Sequence, residues 1–401
     1  MSKNNENKLV PKLRFPEFKD FGEWEIDEVG NVFDVTRGYV LAMNLVTEEQ
    51  NENNPFPVYS SQTKHKGLAG YYKDYLYEDA ITWTTDGANA GDVNFRKGKF
   101  YCTNVCGVLI NKKGYSNHCV AALINSVSRK HVSYVGNPKL MNGVMSKIRI
   151  PFPKIPEQQK IAACLSSLDE VISAETQKLE VLKDHKKGLL QNLLPQAGET
   201  VPKFRFKEFA DSGEWEETTL TQVADYENGK AHEQDIADDG EFIVVNSKFI
   251  SQDGEVKKFT NTAFLPATKG DVLMVLSDIP NGKAIAKCFL VEEDNRYTVN
   301  QRICRITPRN VNSKILYYLL NRNPYFLAFD DGVKQTNLRK EDVLNCPLMI
   351  PENPKEQETI ADTLSSVDDL IKAQIEKVEA LQLHKKGLLQ GLFPKVNEVT
   401  E

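Results

Sequence analysis

The chain has 401 residues, enough for two or three domains that each bury a core, so a single small fold is excluded. With 40% hydrophobic and 26% charged residues, and only 23 Gly and 18 Pro, it has an ordinary globular composition and is not a low-complexity chain. Its net charge of −6, taken whole, argues against a nucleic-acid partner, because gripping phosphates needs a basic surface.

The average hides a distribution. From Asn31 to Ile150 there are 14 basic and 9 acidic residues, and from Asn295 to Lys340 9 basic and 2 acidic. The acids gather in Met1–Gly30, in Ala197–Thr221, in Glu233, Asp235, Asp238, Asp239 and Glu241, and from Glu292 to Asp294. No run of 18 apolar residues occurs and MSKNNENKLVPKL has no apolar stretch, so neither a membrane span nor a signal peptide is expected and the location is cytoplasmic. The 7 cysteines are odd in number and scattered, which suits packed, reduced thiols and not a disulfide framework.

In chain order, the first feature is PKLRFPEFKDFGEWE (Pro11–Glu25), which returns as PKFRFKEFADSGEWE (Pro202–Glu216). Strands are predicted at AITWTT (Ala80–Thr85) and at GVLI (Gly107–Ile110), because these β-branched or aromatic runs are bounded by turn residues. HCVAALINSV (His118–Val127) reads as a short helix. Next comes EQQKIAACLSSLDEVISAETQKLEVLKDHKKGLLQNLLP (Glu157–Pro195). Ile161, Leu165, Leu168, Ile172, Leu179, Leu182, Leu189 and Leu193 fall at alternating steps of four and three, which predicts a long helix ending at the proline.

The second half repeats this order. FIVV (Phe242–Val245) and DVLMVLS (Asp271–Ser277) read as strands and SKILYYLLNR (Ser313–Arg322) as a helix. Glu356–Pro394 copies the long helix, with Ile360, Leu364, Val367, Ile371, Val378, Leu381, Leu388 and Leu392 in the same register. Thinner matches hold the frame between: Gly38 with Gly229, Asp79 with Asp271, Asp86 and Asn89 with Asp278 and Asn281, Tyr101 and Asn104 with Tyr297 and Asn300, and Asn125 with Asn321. A period near 195 residues means duplicated domains, not stacked repeats. Two divergent faces on one frame imply two ligands.

Enzyme signatures are absent: there is no G-x-S-x-G elbow, phosphate loop, dinucleotide turn, H-E-x-x-H helix or Asp/Asn-Pro-Pro-aromatic tetrapeptide. Cys102, Cys106, His118 and Cys119 are the right ligand types for zinc, but Cys102 and Cys106 sit an even step apart on one expected strand and the spacing is poor. No metal site is expected. His185 and His384 each precede Lys-Lys-Gly near a helix end, where capping or packing explains them. The better candidates are loops whose residue types read base edges and grip phosphates. These are Ser60, Ser61, Gln62, Thr63, Lys64, His65 and Lys66 after FPVY, and Asn246, Ser247 and Lys248 after FIVV. Asn89, Asn281, Lys283 and Arg302 lie in further turns. Arg302 and Arg305 differ by an odd step, so only one can face a groove if this is a strand.

Over essentially its full length the chain resembles the DNA specificity subunit of type I restriction-modification systems. The resemblance rests on PKxRFxEFxxxGEW, a variable domain, EQxxIAxxLSSxDxxI and HKKGLLQxL(L/F)P, and the same order again. It implies an α+β fold of two tandem target-recognition domains, residues 1–153 and 197–354. Each is followed by a long helix, residues 154–196 and 355–395, with a tail at 396–401. The helices are expected to pair as an antiparallel coiled coil in a pseudo-two-fold duplication. The motif falls on Glu157, Ile161, Leu165, Asp169 and Gly188, and on Glu356, Ile360, Leu364, Asp368 and Gly387, which carry the scaffold role.

By the same resemblance, each domain reads half of a split site in double-stranded DNA, and the helices space the domains and dock two modification subunits. The chain itself holds no cofactor and no catalytic residues. S-adenosylmethionine, ATP and Mg belong to the modification subunits and to restriction subunits. The alternative, favoured by the net charge, is a two-domain protein-interaction adaptor on a coiled-coil spacer without DNA.

Overall fold

The computed structural model describes residues 9–61, 65–196, 198–280 and 282–394. Contacts divide the chain into two units: one runs to Gln177 and resumes at Glu376, and the other covers Lys178–Ile375. Both borders fall inside a long helix. Each unit is therefore a variable domain with the first half of the helix that follows it and the second half of the other copy's helix. No helix among the described residues is long and apolar enough to cross a membrane.

The first unit runs β1 (Glu25–Glu28), α1 (Val29–Val32), β2 (Asp34–Arg37), β3 (Phe56–Tyr59), β4 (Leu68–Tyr72), β5 (Tyr77–Thr84), β6 (Val93–Cys102), β7 (Cys106–Ile110), α2 (His118–Ser128), α3 (Asn142–Met145), β8 (Arg149–Phe152) and the start of α4 (Ile155–Leu193). Six strands form a sheet in the order β2-β7-β5-β6-β3-β4, with β3–β6 its parallel contact, and β1 pairs with β8. Ala80, Ile81, Thr82 and Trp83 are all buried, because β5 is covered on both faces. That is why AITWTT shows no polar alternation. The Trp83 ring lies over Gly107, where a Cβ would stand 2.1 Å from it. Helix α2 begins where Asn117 accepts the Val120 amide at 3.1 Å, and it buries Cys119, Val120, Leu123 and Ile124.

Cys102 and Cys106 do not share a strand. They end β6 and begin β7 across a turn in which the Cys106 amide bonds Thr103 O at 3.0 Å. All seven cysteines are unpaired and six of them are buried. Burial pushes the Cys106 thiol up to about 11 and Cys102 and Cys119 further.

The second unit contains β9 (Glu216–Thr219), α5 (Leu220–Val223), β10 (Ala224–Asn228), β11 (Ile236–Ala237), β12 (Phe242–Val245), α6 (Ser247–Ser251), β13 (Phe259–Thr260), β14 (Pro266–Ala267), β15 (Val272–Val275), β16 (Ser277–Asp278), β17 (Cys288–Leu290), β18 (Tyr297–Val299), β19 (Ile303–Pro308), α7 (Ser313–Leu320), α8 (Pro324–Leu327), β20 (Thr336–Asn337), α9 (Lys340–Leu344), β21 (Pro347–Ile350) and the start of α10 (Pro354–Leu392). Its sheets are β10-β19-β15-β17 and β11-β13-β12-β18-β14, with β16–β20 and β21–β9 as pairs. The expected strand DVLMVLS is broken into β15 and β16. The Leu276 amide turns to Arg302 O at 2.8 Å, and the Leu276 carbonyl accepts Leu338 N, so the chain changes sheets there.

Two of the thin sequence matches have causes in the fold. A Cβ on Gly38 would lie 2.1 Å from Cys102 O, and one on Gly229 2.0 Å from Asn300 O, so both copies need glycine where the chain crosses the end of the parallel pair. Asn125 accepts Val93 N and Asn321 accepts Cys288 N, each at 2.9 Å, tying the small helix to the sheet. Tyr101 and Tyr297 lie in β6 and β18, which pair in parallel with β3 and β12.

The arm motif PKxRFxEFxxxGEW works by locking onto the start of a long helix. In the first unit Arg14 forks onto Glu157 at 2.8 and 2.7 Å, while Trp24 Nε1 donates to the same carboxylate at 3.2 Å. In the second, Arg205 forks onto Glu356 at 2.8 Å twice and Trp215 Nε1 donates at 3.4 Å.

Along both long helices the seam is buried or half-buried. Ile161, Leu165, Leu179, Leu193, Ile360, Leu364, Val367, Val378 and Leu392 are buried, and Leu168, Ile172, Leu182, Leu189, Ile371, Leu381 and Leu388 are half-buried. Within the first unit Lys377 bonds Glu175 at 2.6 Å and Lys385 bonds Asp169, so the end of α10 runs antiparallel to the start of α4. Within the second, Lys186 meets Asp368 at 2.5 Å, the same pair with its members exchanged. Leu388, Leu389, Leu392 and Phe393 pack against the first core with Ile161 and Leu165. Leu189, Leu190, Leu193 and Leu194 pack with Ile360, Ala361 and Leu364 in the second unit. His185 and His384 are exposed, so packing does not account for them.

Candidate nucleic-acid interface

Both units place their candidate loops at the C-terminal end of a parallel strand pair, β3/β6 or β12/β18. In the first, Ser60 N bonds Gly67 O at 2.8 Å and Ser60 Oγ accepts Thr103 Oγ1 at 3.0 Å, so the loop closes on itself and on the neighbouring turn. Ser60 and Ser61 are half-buried. Lys66 is exposed, sits in the left-handed region at φ 52°, and brings its Nζ to 3.8 Å from Asp169. Gln62, Thr63 and Lys64 lie outside the described residues, as does the His65 side chain.

The loop has an anchor that residue-type reasoning missed. Arg96, 8% exposed, donates to Lys66 O at 2.7 Å and to Thr82 Oγ1 at 2.9 Å, and its guanidinium lies 3.7 Å above the Tyr59 ring. Burial pulls its pKa down and Tyr59 opposes this. The residue positions a loop from below and does not itself present charge. An arginine midway along β6, a strand with buried neighbours, was the available signal.

Lys66 and Asn89 are brought together. They line one cleft of about 310 Å³ with Asn94, Asn125 and Arg129. Asn89 is half-buried in a turn whose carbonyl accepts Asp92 N at 3.0 Å, and this turn is held by Gly87 N on Pro138 O at 3.0 Å. His118, half-buried with its ring 5.0 Å from Phe95, is held below the usual imidazole value by burial, so at neutral pH it adds no positive charge.

In the second unit the candidates separate. Asn246–Lys248 is not a loop of free hydrogen-bonders: Asn246 is the N-cap of α6, its side chain accepting Phe249 N at 2.9 Å. Ser247 is half-buried and Lys248 exposed on the first turn. Asn246→Ala is therefore expected to cost about 1 kcal/mol of stability as a lost cap. Thermal melting measures the cost, and an unchanged melt with an altered DNA sequence preference would return Asn246 to base reading.

Asn281 lies outside the described residues. Lys283 is exposed on a turn built around Asp278, which accepts the amides of Ile279, Ala284 and Ile285 at 2.8, 2.6 and 3.2 Å. Arg302 stands outside the strand, exposed, at φ 70°. Arg305 lies in β19 but is spent on Glu227 and on Pro266 O, and Arg309 is spent on Asp225 at 3.2 Å and on Thr221 O at 2.6 Å. The basic zone of this unit is thus partly neutralised by the neighbouring strand β10.

Comparison with known proteins places this geometry. The profile of the type I restriction modification DNA specificity domain matches residues 22–184 and again 212–380. The type I restriction enzyme MjaVIII specificity subunit of Methanocaldococcus jannaschii is 26% identical over 410 residues, spanning 95% of this chain and 93% of that one. A putative type I specificity subunit N-terminus from Mycoplasma pneumoniae is 39% identical over 145 residues, 35% of this chain and 75% of that one. Among solved structures, the type I restriction-modification system S subunit from M. genitalium shares the fold, with a TM-score of 0.68 over 97% of this chain and 100% of that one at 15% identity. Two matched domains cover most of the residues, taking in both variable segments and the greater part of each long helix: the chain belongs to the type I restriction-modification DNA specificity family, with two copies of its domain.

Proposed function

We propose that the chain is the non-catalytic DNA-recognition subunit of a type I restriction-modification complex, each unit reading one half of a split site. The observation that carries this is the pair of frames with unlike loops. Gly38 and Gly229, Asn125 and Asn321, and the two arm locks repeat, while the segments after β3 and β12 differ in length, structure and charge. A frame kept and a face varied is what two different half-sites require.

The matched helices act as spacer and as the docking surface for modification subunits, and restriction subunits join the same assembly. A solved structure of type I complex assembly shares this fold at a TM-score of 0.53 and 14% identity, over 92% of this chain and 97% of that one. S-adenosylmethionine, ATP and Mg serve the partner subunits. The domain borders follow from the helices: residues 1–153 and 197–354 recognise DNA, and the segments 154–196 and 355–395 hold them apart.

Lys66→Ala tests the interface. The lysine sits on the rim of the cleft it shares with Asn89, so its loss should reduce the slope of log K against log salt for duplex DNA by about one unit, equally for all sequences. An unchanged slope would remove this loop from the phosphate contacts, and a chain whose assembled complex shows no salt-dependent DNA binding would fit the adaptor instead.

A further inference from the structure

In the first unit a cleft of about 830 Å³ opens between α2, β6 and the facing stretches of α4 and α10. Its floor includes Phe95, Ala121, Ala122, Leu389 and Phe393. Its rim carries Lys12, Lys66, Lys130, Lys385 and Lys386 against one carboxylate, Asp169. That volume lies in the range of ligand pockets, about 300–1,000 Å³.

The second unit shows what chemistry this place accepts. Asn125 and Asn321 hold equivalent strand amides, so Ala121 and Ala122 correspond to Tyr317 and Tyr318. The ion pair Asp169–Lys385 corresponds to Asp368–Lys186. There the Tyr318 ring is 8% exposed, its hydroxyl donates to Asp368 at 2.8 Å, Lys186 stands 5.6 Å above its face, and Tyr317 packs edge-on with centroids 5.0 Å apart. In the first unit the same position is a methyl group, and Asp169 faces Lys385 and Lys66 with no phenol between.

We propose that the first-unit cleft is a docking slot for an aromatic side chain carried on an acidic segment of the modification subunit, and that the second unit, which supplies its own tyrosines, offers no equal slot. This rests on the reading that the chain assembles with modification subunits. The aromatic anchor is argued from the tyrosines that occupy the equivalent place, and the acidic flanks from the exposed Lys12 and Lys386 on the rim beside the Asp169–Lys385 pair. A buried aromatic in a pocket ringed by polar groups is a common anchor of protein interfaces. A duplex backbone would use the lysines but leave the apolar floor without a partner. Two identical modification subunits would then meet unequal halves and bind with unequal affinities.

The test is calorimetric titration of the modification subunit of the same system into the full-length chain. The wild type should show two unequal sites. Ala122→Tyr fills the slot, its hydroxyl reaching Asp169 as Tyr318 reaches Asp368, and should weaken the tighter site at least tenfold while the melting temperature holds or rises. Lys12→Glu with Lys386→Glu, both exposed, should weaken the same site without touching the floor. Should Ala122→Tyr disturb folding, the rim variant decides alone. Unchanged affinity in either well-folded variant overturns the inference, as does a fill that weakens duplex DNA binding by the chain and leaves subunit binding intact. A wild-type chain that binds neither the modification subunit nor DNA rejects the functional reading as well.

Discussion

Glu157→Ala is expected to lower the melting temperature of the first unit by about 10 °C. The side chain is 1% exposed and its partner Arg14 6% exposed, so removing the carboxylate strands a guanidinium in a place water does not reach. Breaking one side of such a buried pair costs about 3–5 kcal/mol, and in a unit of this size each kcal/mol moves melting by about 2–4 °C. Arg14 has one other acceptor, Gly22 O at 2.6 Å, which cannot replace a bidentate carboxylate, and Trp24 Nε1 loses its acceptor as well. Glu356→Ala should do the same to the second unit through Arg205 and Trp215. Replacing the first pair together, Arg14→Met with Glu157→Leu, should recover most of the loss, because no charge is then left buried. Calorimetry of the three variants measures this, and a wild-type melt for Glu157→Ala would show that the arm lock holds nothing.

Exchanging residues 31–150 for the corresponding segment of a relative is expected to replace one half of the recognised DNA sequence completely and leave the other half and the gap unchanged. The exchanged segment begins after β1 and ends within β8, so the arm lock on α4 and the seam residues are untouched. Its contacts to α4 and α10 run through Ile161, Leu165, Leu389 and Phe393, which stay in place. The gap should respond instead to helix length. Four added residues in each helix lengthen it by about 6 Å, roughly two base-pair steps. Sequencing the modified sites in DNA from cells carrying each variant decides the matter, and an exchange that alters both half-sites would refute independent reading.

Much of this was legible from residues. The duplication, the seam and both small helices carry periodicity that a helix in any context must satisfy, since 3.6 residues per turn place Ile161, Leu165, Leu168 and Ile172 on one face. The strands around Ile81 and Val244 were legible because β-branched and aromatic runs between turn residues leave few other uses for their side chains. The candidate interface was less so. Asn246 and a base-reading asparagine have the same side chain, and only the position of Phe249 N makes one a cap. Arg305 and Arg309 count as positive charge in the sequence, yet the register of β10 against β19 sets Glu227 opposite Arg305, and Asp225 reaches Arg309.

By itself the sequence determined that the chain is two copies of one domain, each followed by a long helix, because a repeat and a heptad are local records. Only the tertiary structure decided that each unit is completed by the end of the other copy's helix, that Glu157 and Glu356 hold the arms, and that Ala122 opens a cleft where Tyr318 closes one. These contacts join residues more than 140 positions apart in the case of the arms, and about 200 apart along the helices, and a side chain's partner at that distance leaves no periodic mark on the chain.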